Sequence, residues 1–137
     1  MYRHQDPHAP LLVITFGGNV IAVERRTGKI VWQQQYHSPF PARLLFPPGR
    51  VLLGYQRELV CLAYTTGQLL WRTTVPTSTA GSIVVDGDEI FFGGGGEAAC
   101  VDVNTGALLW HHPFKGMGAW AVALGVPGNV AQIDHDQ

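Results

Sequence analysis

Short apolar runs alternate with turn-forming residues along almost the whole chain, and no window has the length and period of an amphipathic helix. In the middle of the chain the apolar runs are 42–46, 50–55, 58–64 and 68–75. The runs that follow are 81–85, 89–92, 97–103 and 107–113. Pro, Gly and polar turn residues separate them. The pattern therefore predicts four short antiparallel strands in each stretch of about forty residues.

One phrase recurs three times in register with these strands. It consists of Thr-Gly, one variable residue, two aliphatic residues and Trp, and it ends at Trp32, Trp71 and Trp110, thirty-nine residues apart. A fixed period of this size marks a repeat architecture. With four strands per repeat, it predicts an all-β fold, a β-propeller of four-stranded antiparallel blades. The predicted units cover about 11–40, 41–79, 80–116 and, in part, 117–137, after a flexible segment 1–10.

The repeated phrase has a structural explanation. Gly28, Gly67 and Gly106 are predicted to supply the positive φ of a tight hairpin between the third and fourth strands of each blade. The Trp four residues later lies on the fourth, outermost strand. There its ring can cover the seam between neighbouring blades while its N–H donates to a carbonyl. Stacking of these rings on a ligand is the less favoured interpretation.

The two ends of the chain differ from the middle in opposite ways. The first unit lacks an evident first strand, because 2–7 is polar and broken by proline. The last unit offers a strand at 119–126, a turn at Pro127-Gly128 and a further run at 129–133. Unpaired strand edges need partners. About three and a half blades per chain therefore predict a ring closed by oligomerisation. The simplest form is a two-fold homodimer of six blades, in which 119–126 of one copy completes the first blade of the other.

The composition argues against several classes of function. Charged residues make up 14% of the chain, nine basic residues oppose ten acidic ones, and Arg25-Arg26 is the one basic cluster. These values predict neither a nucleic-acid footprint nor an anionic-membrane patch. The apolar run 11–16 is too short for a secretion signal, and no stretch approaches the length of a membrane span. We expect no membrane insertion and a cytoplasmic location.

Cys61 and Cys100 are also thirty-nine residues apart, at a position where the first repeat has Ala22. Buried, unpaired thiols are the favoured prediction, because free Cys behaves as a small apolar residue. A disulfide or redox pair is the alternative, although the C-x-x-C spacing of redox motifs is missing.

Three other motifs suggest chemistry, and each has a simpler explanation. Gly93 to Gly96 is followed by neither Lys-Ser/Thr nor a helix, which favours a flexible hairpin tip bordering the propeller axis over a phosphate cradle. Asp86 to Glu89 lacks the later ligands of a calcium loop and favours an Asp-Gly hairpin. The remaining candidate metal ligands are the histidines His37, His111, His112 and His135. Adjacent strand residues point to opposite faces, so His111 and His112 predict no metal site.

The phrase resembles the repeat of the pyrroloquinoline-quinone-like (PQQ-like) β-propeller superfamily, which includes quinoprotein alcohol dehydrogenases and the outer-membrane assembly lipoprotein propeller. Residues 22–32 match that repeat closely and 101–110 nearly so, and the resemblance covers 11–133. It implies a ring of about seven or eight blades, more than this chain holds. The dehydrogenases carry adjacent cysteines, calcium ligands and a catalytic aspartate around the ring axis. Cys61 and Cys100 are not adjacent, and no matching set is found, so no cofactor is carried over.

Three functional hypotheses follow. The first is a non-catalytic binding or scaffold module that self-assembles into a closed ring and docks a protein or small ligand on a ring face. The second is a quinoprotein-like oxidoreductase, or a small-ligand sensor, with a site on the ring axis. The third is a fragment of a longer propeller protein. No catalytic motif supports an enzyme, and fold alone does not specify activity.

Overall fold

The computed structural model describes residues 10–36, 42–77 and 81–131. These residues form four antiparallel sheets in which sequential strands are neighbours. The first sheet contains β1 (Leu11–Phe16), β2 (Asn19–Glu24) and β3 (Ile30–Gln35). The second contains β4 (Arg43–Leu45), β5 (Arg50–Tyr55), β6 (Glu58–Ala63) and β7 (Leu69–Thr74). The third contains β8 (Ser82–Asp86), β9 (Glu89–Gly94), β10 (Glu97–Asp102) and β11 (Leu108–His112). The fourth is the pair β12 (Leu124–Val126) and β13 (Asn129–Ala131). The predicted all-β fold of four-stranded antiparallel blades is confirmed.

The Thr-Gly turn connects the last two strands of each of the first three sheets. Gly28, Gly67 and Gly106 have φ of +77°, +75° and +78°, in the left-handed region that a residue with a Cβ rarely adopts. The preceding threonine hydroxyl accepts a hydrogen bond from the backbone N–H two residues further on, at 3.1–3.2 Å in all three turns. Each turn also follows a shift in the strand register at the same repeat position. The phrase therefore encodes one local conformation three times.

The core lies between the sheets rather than within one of them. We call the face of a sheet that points to the next sheet its forward face, and the opposite face its backward face. The forward face of the second sheet and the backward face of the third form one buried cluster, which includes Leu52, Leu59, Trp71, Ile90, Phe92 and Val101. The first and second sheets form the equivalent cluster from Val13, Val20, Trp32, Val51, Leu53 and Val60. Large aliphatic and aromatic side chains thus hold the sheets face to face.

The strand predicted at 119–126 is shorter in the structure, where only Leu124–Val126 is a strand. The preceding segment instead crosses the β9–β10 hairpin of the third sheet. The N–H of Gly96 donates to the carbonyl of Trp120 at 2.8 Å, and the Ser82 hydroxyl donates to the carbonyl of Val122. β12 pairs with β13 along its full length. The hairpin predicted around Pro127-Gly128 is therefore present, but its first strand is shorter than predicted.

Several sequence predictions fall outside the described residues. These are the polar segment 2–7, His37, His135 and the last part of the run 129–133. Within the described ranges, no helix has the length and apolar character needed to cross a membrane.

Candidate protein-interaction site

The tryptophan of the first sheet docks on the Thr-Gly turn of the second. Trp32 is 8% exposed, and its indole N–H donates to the carbonyl of Tyr64 at 2.8 Å. Its ring lies so close to Gly67 that an added Cβ would stand 2.5 Å from ring atom Cδ2. Gln34 donates to the carbonyl of the same glycine at 2.8 Å. Gly67 is thus required twice, for its backbone conformation and for the space that the indole ring occupies.

The second and third sheets repeat this contact. The indole N–H of Trp71 donates to the carbonyl of Val103 at 2.7 Å, and a Cβ on Gly106 would stand 2.6 Å from the indole ring. Thr73 donates to the carbonyl of Gly106 at 2.8 Å. We call this arrangement the Trp–Gly dock. The sequence predicts a tryptophan over the seam and an N–H bonded to a carbonyl, but it does not reveal that the ring sits on the repeated glycine.

Two halves of this dock stand open in the described part of the chain. Trp110, on β11, is 46% exposed, and its ring contacts Phe91 at a centroid distance of 6.3 Å. At the other end, an added Cβ on Gly28 would meet no atom within 4 Å. The third sheet therefore presents an indole without a turn, and the first sheet presents a turn without an indole.

The apolar side chains on the backward face of the first sheet are exposed as well. Leu12 and Phe16 of β1 are 53% and 59% exposed, and Ile14 between them is also exposed. Their equivalents thirty-nine residues later, on β5, are the buried Val51, Leu53 and Tyr55. Contiguous exposed apolar patches on a soluble domain mark interaction surfaces. The backward face of the first sheet is therefore a candidate interaction surface.

The two cysteines occupy equivalent places and are buried and unpaired. Burial raises the pKa of Cys61 to about 11, a shift that Arg50 opposes only in part. Burial, helped by Glu89 and Asp102, raises the pKa of Cys100 to about 11 as well. Because the thiolate is the nucleophile and the metal ligand, burial makes both groups unreactive near neutral pH.

The two adjacent histidines make different contacts. Nε2 of His111 lies 2.6 Å from a carboxylate oxygen of Glu97. The ring of His112 stacks on Phe114 at a centroid distance of 4.2 Å. In the described ranges, no three His, Cys, Asp or Glu side chains come together in a group that could hold a metal ion.

Both glycine-containing motifs form hairpins. Gly95 and Gly96 make the turn between β9 and β10, and a Cβ on Gly93 would meet Val122 of the crossing segment at 2.9 Å. The glycines thus allow a close approach of backbone. Gly87, with φ of +57°, turns β8 into β9.

A polar bridge that the sequence analysis missed joins the second and third blades. Arg50 donates to Oδ1 of Asn104 at 2.8 Å, and the amide of Asn104 donates to Asp88 at 3.3 Å. Asp88, part of the suspected calcium motif, therefore receives a hydrogen bond within the structure.

A second feature that the sequence analysis missed is an Arg–Glu ion pair whose positions hold a His–Glu contact one repeat later. Nε of Arg72 donates to Glu58 at 2.6 Å, and the guanidinium lies 5.4 Å from the ring centroid of Tyr36. Burial raises the pKa of Tyr36, against the opposing effect of Arg72. The third blade has His111 and Glu97 at the same positions. The thirty-nine-residue offset between the two pairs could have revealed them.

An open cavity of about 400 Å³ lies between the innermost strands of the second and third blades. The side chains that line it are apolar except for that of Asn129, which donates to the carbonyl of Val85 at 2.6 Å. No titratable side chain lines this cavity. It offers space near the strands that line a propeller axis, but no group for acid–base chemistry.

Four-stranded antiparallel sheets packed face to face through a recurring Trp–Gly dock define a β-propeller built from PQQ-like repeats. Residues 16–119 match the family described as outer membrane protein assembly factor BamB, and the chain belongs to this family. No curated protein sequence matches it.

Solved structures show the same fold. BamB from Moraxella catarrhalis superposes with a TM-score of 0.62 at 25% identity, covering 78% of this chain and 34% of that protein. The dihydro-heme d1 dehydrogenase NirN superposes with a TM-score of 0.67 at 14% identity, covering 87% of this chain and 27% of that one. Quinohemoprotein alcohol dehydrogenase from Comamonas testosteroni gives 0.63 at 17% identity, covering 76% and 19%. The chain thus spans about a third of the BamB structure and less of the two dehydrogenases.

Proposed function

We propose that the chain is a non-catalytic scaffold module that assembles with copies of itself into a closed ring of blades and binds another protein on a face of that ring. The observation that carries this proposal is the pair of open halves of the Trp–Gly dock, Trp110 on the third sheet and Gly28 on the first. Propellers of four to eight blades close into rings and thereby protect their edges. The described sheets are too few to make a ring of the size typical of this family.

Two further observations support a binding role rather than catalysis. The buried thiols keep their protons near neutral pH, and the two described histidines contact Glu97 and Phe114. The family that matches residues 16–119 is described as an outer membrane protein assembly factor, which favours protein as the partner.

The molar mass in solution tests the assembly. Light scattering after size-exclusion chromatography should give twice the 14.9 kDa of one chain. A folded monomer at all concentrations contradicts self-assembly and favours the chain being a piece of a longer propeller, which its 34% coverage of BamB also allows.

A small-ligand site is the second candidate, because the cavity of about 400 Å³ lies beside the innermost strands. Absorbance spectra and thermal unfolding with added pyrroloquinoline quinone and Ca²⁺ separate the two functions. A ligand that binds only the native state raises the free energy of unfolding by RT ln(1 + [L]/Kd), where [L] is the free ligand concentration. We expect neither a new absorbance band nor a stability increase. Either of them would favour the quinoprotein alternative.

A further inference from the structure

We infer that the open forward face of the third sheet binds the open backward face of the first sheet in a second copy of the chain, with Trp110 docked on the Gly28 turn. This inference rests on the proposed self-assembly and names the surfaces that form the contact. It commits to a second copy as the occupant.

The two junctions inside the chain specify what fits each open face. Trp32 and Trp71 each place the indole ring on a glycine and the indole N–H on the carbonyl of a residue three positions earlier. Each dock joins the tryptophan of one repeat to the glycine of the next. If the first repeat of a second copy follows the third repeat, Trp110 pairs with Gly28 and its N–H is directed to the carbonyl of Arg25. The chain therefore carries both components of a third dock, on opposite ends.

The surrounding apolar surface agrees with this pairing. In the second sheet, Val51, Leu53 and Tyr55 are buried against the forward face of the first sheet. Leu12, Ile14 and Phe16 hold the same positions in the first sheet and are exposed. Within the chain, this row of side chains is therefore covered by the forward face of the preceding sheet.

The arrangement closes on itself. A contact between unlike faces generates a ring when the rotation closes and a filament when it does not. Two copies with three blades each give six blades, within the four to eight of known propellers. Both docks then form at once, so no blade face stays open.

The β12–β13 hairpin fits this ring with one rearrangement. Among the described residues, which begin at 10, the first sheet has strands equivalent to β5, β6 and β7 but none equivalent to β4. β12 precedes a tight turn as β4 and β8 do, and it lies beside β8. In the ring, β12 serves as the innermost strand of the partner's first blade. It then pairs with the partner's β1 instead of with β13.

Trp110→Ala tests the contact, with Leu109→Ala as the matched control. The equivalents of Trp110 are buried, whereas Val31 and Leu70, the equivalents of Leu109, stay 46% and 44% exposed beside formed junctions. Truncation of a central aromatic at an interface weakens binding by about 30-fold or more. We expect Trp110→Ala to raise the dimer dissociation constant by at least this factor while Leu109→Ala leaves it within about threefold. Far-UV circular dichroism checks that both variants keep the β spectrum.

Leu12→Asp supplies a second, independent variant on the opposite face. It should also give a folded monomer, because a carboxylate would be buried without a partner. An equimolar mixture of Leu12→Asp with Trp110→Ala restores one junction between two intact faces. Native mass spectrometry should therefore detect a heterodimer in excess of both homodimers.

The outcomes distinguish this inference from the proposed function. A wild-type dimer that persists in both variants overturns the contact but leaves self-assembly intact. Monomeric variants without a heterodimer overturn the pairing of unlike faces. A monomeric wild-type chain overturns the contact and the proposed self-assembly together.

Discussion

Trp71 and Trp110 close the same phrase on the same strand of successive blades, yet their surroundings differ. Trp71 is 8% exposed and bonded to the carbonyl of Val103, whereas Trp110 is 46% exposed. The difference does not arise within their own blades, since both Thr-Gly turns have the same conformation. It arises because the Thr-Gly turn of the third sheet lies against Trp71. A repeated residue therefore encodes half of a contact, and the neighbouring repeat supplies the other half.

The glycines that receive the tryptophans show the same dependence on a neighbouring blade. Gly67 receives the ring of Trp32, but Gly28, with nearly the same φ, faces open space. One glycine meets two requirements, and the other meets only the conformational one. Equivalent positions in the repeat thus provide matched pairs for mutagenesis, and each pair separates the cost of an inter-blade contact from the cost of the local fold.

Replacing the tryptophans gives the largest expected difference. Trp71→Ala should lower the free energy of unfolding by about 3–5 kcal/mol, the cost of emptying a large buried site. Trp110→Ala should cost about 1 kcal/mol or less in the monomeric chain, because nearly half of its surface already faces water. Urea titrations over a dilution series measure both. Equal losses for the two variants at low concentration would show that Trp110 is packed within its own chain.

The glycine pair sharpens the comparison at a smaller scale. Gly28→Ala should cost about 1–2 kcal/mol, because a Cβ disfavours the left-handed conformation. Gly67→Ala adds the collision with Trp32, and overpacking of this kind costs about 1–3 kcal/mol more. A Gly67→Ala change in the Trp32→Ala background should lose that extra cost, as a double-mutant cycle measures. If the extra cost persists without the indole ring, the dock is not its source.

The sequence predicts those features that depend on local chemistry. The strands and the positive φ of Gly28, Gly67 and Gly106 follow from periodicity and turn residues, so they can be derived one blade at a time. The exposure of Trp110 cannot, because its phrase is the same as that of Trp71. It depends on which blade follows.

The segment before β12 shows a second limit. Residues 119–126 are rich in apolar residues and suggest one strand, but the backbone of Trp120 and Val122 bonds to the third sheet instead. The glycines at 93–96 make that crossing possible, because a side chain on Gly93 or Gly96 would collide with the segment. Their effect is on residues more than twenty positions away, which no local pattern records.

The smallest expected effect concerns the cysteines, and it compares the second and third blades with the first. Ala22 is buried where they have Cys61 and Cys100, so the double change to alanine should cost only about 1 kcal/mol per site near pH 7.

The difference between wild type and this variant should change with pH. Burial raises the pKa of both thiols from 9.0 to about 11, so the unfolded chain releases these protons first. The stability that the buried thiols contribute is therefore complete below pH 9 and declines as the pH rises towards 11. Urea titrations at pH 8 and pH 10.5 should show the advantage of wild type over the double alanine variant shrinking. Groups that titrate in both proteins change both free energies of unfolding equally, so they cancel in the difference between wild type and variant. An advantage that stays constant with pH would mean that the two thiols ionise as readily in the folded chain as in the unfolded one.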